Sequence, residues 1–253
     1  MPNRSSKIIS AALLAVLILF FSGCVTMYNP ATERKETLLI NTPQEVSLGV
    51  DMDKELQVKL KMSNSLPMNR RLNSIGSKLV KFSDRQDLSY HFQVVSDKEL
   101  NAFAIPGGFV YVNSGLMDVA NDNELAGVIA HELGHIAAKH SVKRLQTVMG
   151  YQLFLGLVSG LSGQPIMNDA INIVFNLVNL GYSRKDELLA DKLSVRYVRR
   201  AGYSPIGLVT FFKKLKQEGE KKGSSSKLAF LSSHPPIQDR IVQVEEEIKL
   251  YPY

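Results

Sequence analysis

Residues 121–136 read NDNELAGVIAHELGHI, and two patterns are superimposed there. The first is structural. Asn121 can cap a helix, Glu124 completes a box-like start three residues later, and Leu125, Val128, Ile129, Leu133 and Ile136 recur at helical spacing. The second is chemical. His131 and His135 stand four apart, so both imidazoles leave one face of that helix and can meet at a single ion. Zinc suits neutral imidazoles, because it takes tetrahedral nitrogen and oxygen donors and accepts one open position. Glu132, beside the first histidine, can reach a metal-held water without binding the metal itself. It can take the water proton during attack on a carbonyl and pass it to the leaving amine. Two unrelated histidines on a solvated helix would not sit mid-helix among apolar residues, where buried polar groups need partners.

A third ligand must come from further along the chain. A metzincin continuation would need Gly at 138 and His at 141; the chain has Ala138 and Ser141, which excludes that class. His140, five residues past His135, falls off the ligand face of a straight helix. Between His135 and Arg184 the sole carboxylate is Asp169, and the next are Asp186 and Glu187. Glu187 and Asp191 are four apart on a helix made apolar by Leu188, Leu189, Ala190 and Leu193. Glu187 can bind zinc, with Asp186 the next candidate, and Asp191 can accept the free N–H of a ligand histidine and so fix its tautomer.

Around this centre the pattern alternates helix with a little strand. Helices are expected over 43–62, 67–82, 187–200, 205–222 and 237–250, with two short apolar ones at about 147–161 and 168–181, broken by residues 162–165. Strands are expected at Leu88–Val95, Ala102–Ile105 and Phe109–Val112, around the turn Pro106-Gly107-Gly108. The fold class is therefore α+β, mainly helical, in one catalytic domain over 43–253. The apolar segments within 145–183 read first as core, and alternatively as a flap over the cleft or a patch touching lipid. The lysine-rich run 213–222 reads as a solvated helix end.

The N-terminus carries an export pattern. Arg4 and Lys7 precede the uncharged apolar run Ile8–Phe21, which is the length of a signal-peptide core and short for a membrane span. It ends in Phe21-Ser22-Gly23-Cys24, which resembles a bacterial lipobox, although Phe21 stands where Leu is usual. The expectation is a signal peptide over 1–23, a lipidated Cys24 and a tether over 24–42; a simple signal anchor is the alternative. Val25 after the cysteine resembles the outer-membrane sorting pattern of bacterial lipoproteins. Cys24 is the one cysteine in the chain, so no intrachain disulfide can form.

Composition sets the remaining bounds. With 253 residues and 45% apolar content the chain can bury a sizeable core. The net charge of +6 includes Arg4 and Lys7, and no basic run is interleaved with aromatics, so nucleic acid is not an expected partner. Sequence leaves the oligomeric state open.

Four ordered motifs carry a family resemblance. Asn101-Ala102-Phe103-Ala104 with Pro106-Gly107-Gly108 and Gly115-Leu116, the His131–His135 motif, Ser183-Arg184 through Glu187 and Ala190-Asp191, and His234-Pro235-Pro236 with Arg240 together resemble the gluzincin metallopeptidases of the CAAX prenyl endopeptidase and HtpX type, peptidase family forty-eight. The likeness runs from about 43 to 245. It implies a zincin-like domain with one Zn2+ per chain, held by His131, His135 and Glu187. It also implies that the strand near Ala104 to Val112, with Gly108 in it and Asn101 and Ala102 close by, is an edge bordering the active-site cleft, where an extended protein or peptide substrate adds by backbone pairing. His234 and Arg240 would lie near the open metal position and stabilise the developing oxyanion, or His234 would bind the zinc and leave the enzyme latent. Membrane-embedded relatives carry transmembrane helices in the region of 145–183, where this chain has short, glycine-broken segments. The activity implied is zinc endopeptidase action on misfolded or unassembled proteins at the periplasmic face of the cell envelope, from an outer-membrane lipid anchor. The alternative is a chaperone-like lipoprotein that holds clients over a shielded metal site.

Overall fold

The computed structural model describes residues 25–159, 181–222, 230, 234 and 237–250. The expected signal peptide, Cys24 and residues 168–180 of the expected helix at 168–181 lie outside the described residues. In chain order the elements are β1 (Val25–Asn29), β2 (Arg34–Leu38), α1 (Thr42–Lys59), α2 (Leu66–Val80), β3 (His91–Val95), β4 (Ala102–Ile105), β5 (Phe109–Asn113), α3 (Ser114–Val119), α4 (Asp122–Ala137), α5 (His140–Ser159), α6 (Arg184–Arg200), α7 (Ile206–Lys222) and α8 (Ile237–Leu250). This is a mainly helical α+β domain of zincin type, as expected. No helix among the described residues is long and apolar enough to cross a membrane.

The organising element is α4. Every residue from Glu124 to Ala137 is buried, because α6, α7, α2 and β4 all pack on it. Leu125, Val128, Ile129 and Leu133 are fully enclosed in the main core cluster, and each such side chain contributes about 1.5–3 kcal/mol through loss of contact with water. Its start is fixed by a complete capping box: the Asn121 carboxamide accepts from the Glu124 backbone N–H at 3.0 Å, and the Glu124 carboxylate accepts from the Asn121 N–H at 2.8 Å. Lys214 of α7 donates to the same carboxylate at 2.7 Å. Asn121→Ala should therefore destabilise the domain by about 1 kcal/mol, read as a lowered urea midpoint at unchanged slope.

The small sheet has the order β3-β5-β4, with β3 parallel and β4 antiparallel to β5. Ala102 pairs with Val112 and Ala104 with Val110, and no further strand pairs with β4 among the described residues. The expected strand at 88–95 is confined to His91–Val95.

Two sequence expectations need correction. The segment read as a tether, 24–42, folds from Val25 as an antiparallel hairpin with Val25 opposite Leu38 and Asn29 opposite Arg34. Long-range contacts hold it: Asn29 Nδ2 donates to the Ala137 carbonyl at 3.1 Å, Lys143 Nζ donates to Glu36 at 2.6 Å, and Ala31 joins the core. Burial works against ionisation of Glu36, but Lys143, Thr32 and Asn29 hold its pKa below the ordinary value. The helix expected from about 147 begins already at His140. Between α4 and α5 the chain turns at Lys139, which adopts φ 57. That conformation is disfavoured for a side chain with a Cβ, and Lys139 is fixed in it by a buried ion pair to Glu45 Oε2 at 3.0 Å. Arg85 binds the same carboxylate at 3.1 Å, so α1, the loop after α2 and the end of α4 share one buried charge network.

Candidate metal centre

Two helices and one further residue deliver the donors. From α4 come His131 and His135, whose Nε2 atoms lie 3.0 Å apart. From the first turn of α6 comes Glu187, with Oε2 3.5 Å from His131 Nε2 and Oε1 3.5 Å from His135 Nε2. His234 adds a third imidazole, its Nδ1 2.9 Å from Glu187 Oε1 and 3.4 Å from His131 Nε2. One ligand atom from each of the four lies within 4.8 Å of the others, and all four residues are buried. Asp186, the second candidate ligand, is outside this cluster. It caps α6 through Ser183 and keeps 38% of its side chain exposed.

Close approach of α4 and α6 makes the convergence possible. A Cβ on Gly134 would meet the Ala190 Cα and carbonyl oxygen at 3.0 Å and Leu193 Cβ at 3.3 Å. The glycine between the two histidines is thus where the helix bearing Glu187 rests on α4.

Behind the donors stands a second layer of charge. Asp191 Oδ1 lies 2.8 Å from His131 Nδ1, the position expected for a group that orients a ligand imidazole. Arg240, fully buried, donates to both Asp191 oxygens at 2.7 Å and to the His234 carbonyl at 3.0 Å, and its Nη1 lies 2.8 Å from Glu187 Oε2. Its donors are thus turned onto the carboxylates and the chain around His234. Despite burial, which works against it, His234 and Arg240 hold the Glu187 carboxyl well below the ordinary range. Burial and Arg240 pull the His131 imidazole down, but Asp191 and Glu187 outweigh them and lift it to about 9. The position beside His131 favours positive charge, whereas burial and His131 push His135 well down, and a divalent cation would compete with the proton on His131.

Glu132 is different. It is 1% exposed, both carboxylate oxygens lack a hydrogen-bond partner, and its Oε1 is 3.6 Å from His234 Nε2. Burial raises its pKa, and the charges of His234 and His131 offset this only in part. A buried carboxylate left without donors costs stability unless something else occupies the space beside it. Two imidazoles, a carboxylate and an orphaned acid next to them form a donor set that fits zinc.

The edge expected over 104–112 is confined to β4, because β5 is paired on both sides by β3 and β4; β4 packs against α4. Ala102 and Ala104 are buried, while Asn101 is half-buried, with its carbonyl accepting from the Asn113 N–H at 2.9 Å and its Oδ1 enclosed without a partner. Gly108 has φ 96, and a Cβ there would meet the Ser89 carbonyl oxygen at 2.5 Å, so this bend requires glycine.

Two residues of the centre carry no signal in spacing. His140 Nδ1 lies 2.9 Å from His135 Nδ1. Tyr182 stacks on the His135 ring at 3.9 Å between centroids, and its hydroxyl lies 2.7 Å from Ser141 Oγ.

Comparison with known proteins agrees with this geometry. Peptidase family M48 matches residues 67–248. Metalloprotease LoiP of Escherichia coli is 33% identical over 182 residues, covering 71% of this chain and 70% of its own length. Metalloprotease YcaL of the same organism is 32% identical, covering 78% and 76%. The beta-barrel assembly-enhancing protease of Escherichia coli is 25% identical across 95% of this chain, which spans 52% of that longer protein. A family match over most of the chain, and relatives a third identical that align over most of their own lengths, lead to one conclusion: the chain belongs to peptidase family M48, whose matched relatives are metalloproteases.

Proposed function

We propose that the chain is a zinc-dependent endopeptidase of the bacterial cell envelope that hydrolyses misfolded or unassembled proteins. The observation that carries this reading is the meeting of His131, His135 and Glu187 beside the unpartnered carboxylate of Glu132. The first three would hold Zn2+. When bound, that ion supplies Lewis acidity, polarising a peptide carbonyl and easing deprotonation of a water. Glu132 takes the proton of the attacking water on a carboxylate oxygen and returns it to the leaving amine; its raised pKa suits both directions of transfer. Asp191 holds His131 by its Nδ1, and Arg240 holds Asp191 and Glu187. Substrate would add along β4, using backbone groups on the side without a strand neighbour, which gives tolerance of sequence.

The envelope assignment is supported by the signal-like N-terminus with Cys24 as lipid anchor, and by the name of the beta-barrel assembly-enhancing protease. A digest of unfolded casein tests the activity. Purified protein with one zinc per chain should cleave it, a chelator should stop cleavage, and added zinc should restore it. Absence of cleavage at full zinc occupancy would leave only the client-holding alternative.

One observation favours a shielded resting site. His234 Nδ1 stands among the donors, where it would fill the fourth position of a tetrahedral ion. His234→Ala is therefore expected to keep zinc and to speed casein cleavage. Slower cleavage would instead give His234 the oxyanion role.

A further inference from the structure

We propose that His140, backed by Asp186, is a positioning residue for the metal ligand His135. This deepens the zinc reading and rests on it. The two ligand histidines are supported differently. His131 has a carboxylate, Asp191, directly on its Nδ1 at 2.8 Å. His135 has no carboxylate on that nitrogen; it has the Nδ1 of His140 at 2.9 Å, and His140 Nε2 in turn lies 3.3 Å from Asp186 Oδ1.

The proton positions follow from valence. With His135 Nε2 turned to the ion, its Nδ1 carries the hydrogen and donates. His140 Nδ1 must then accept, which leaves the His140 hydrogen on Nε2, 3.3 Å from the Asp186 carboxylate. Each member fixes the tautomer of the one before it. Asp186 is held for this task by the Ser183 hydroxyl, which donates to it at 2.7 Å. The ring of His135 is clamped on its face by Tyr182, whose hydroxyl is tied to Ser141, the neighbour of His140. The left-handed turn at Lys139 therefore brings both restraints to the same imidazole. A histidine serving only as packing would not need a polar atom beside each ring nitrogen, and His140 is 4% exposed.

The test is zinc affinity by competition with a chromophoric chelator, together with the visible absorption of the cobalt-substituted protein. His140→Leu removes the acceptor and should raise the zinc Kd about 10–100-fold, the usual effect of losing a group that orients a ligand, and should alter the cobalt bands. His140→Asn places Oδ1 where Nδ1 was and should restore most of the affinity. His140→Gln has no acceptor at that position and should behave as the leucine variant does. This Asn–Gln contrast decides the question even where leucine prevents folding. Equal affinity in Asn, Gln and wild type overturns the inference, as does equal impairment of Asn and Gln. Wild-type protein that holds no zinc would instead overturn the reading on which the inference rests.

Discussion

Glu132→Gln is expected to keep one zinc per chain and to lose casein cleavage by a factor of about 10²–10⁴, the usual contribution of a positioned general acid–base group. The substitution preserves shape and removes only the capacity to accept a proton. Because both Glu132 oxygens are enclosed without partners and burial already opposes its charge, a neutral amide should not weaken the fold. Zinc by elemental analysis, urea midpoint and initial rate on a fluorogenic casein are the three readings. A variant that cleaves nearly as fast as wild type at full occupancy would remove Glu132 from the chemistry.

Glu187→Ala should cost the protein its zinc. Glu187 is the carboxylate in the donor cluster, reaching 3.5 Å from each of the two α4 imidazole nitrogens, and the cluster holds no second carboxylate among the described residues. Asp186, one residue earlier, is committed to the α6 cap. The loss in affinity should exceed the roughly 10–100-fold penalty of removing an orienting partner such as Asp191. Arg240 keeps both Asp191 oxygens in this variant, so the helical frame should survive. Metal content after dialysis against a weak chelator, compared with the thermal midpoint of the metal-free protein, separates ligand loss from unfolding. Zinc retained at one per chain would mean that Glu187 is not a ligand.

Much of the centre was legible because helices convert sequence spacing into direction. His131 and His135 at four apart, the Asn121–Glu124 box and Glu187 with Asp191 on one face all follow from 3.6 residues per turn, and each is found where the spacing puts it. His140 was not legible for the complementary reason. Five residues past His135 is the wrong face only while the helix continues; α4 ends at Ala137, Lys139 turns left-handed, and His140 returns to the ligand it should have missed. Nothing in a lysine announces φ 57; the ion pair to Glu45, 94 residues earlier, accompanies it. The hairpin at Val25–Leu38 was hidden in the same way, since beyond its own strand pairing it is tied to the domain through Ala137 and Lys143. Local pattern reports local geometry, and contacts made across a hundred residues leave no period to read.

Gly134 contributes no donor, yet it sets the gauge of the socket. Zinc–nitrogen bonds tolerate only about 0.2 Å of misfit, and the Ala190 backbone already stands at 3.0 Å from where a methyl group would go. A single added carbon would press the helix bearing Glu187 back by a few tenths of an ångström, keeping each donor in place by identity while shifting that carboxylate against the two imidazoles. Surveys that score a metal motif by its donors alone would count such a protein as intact.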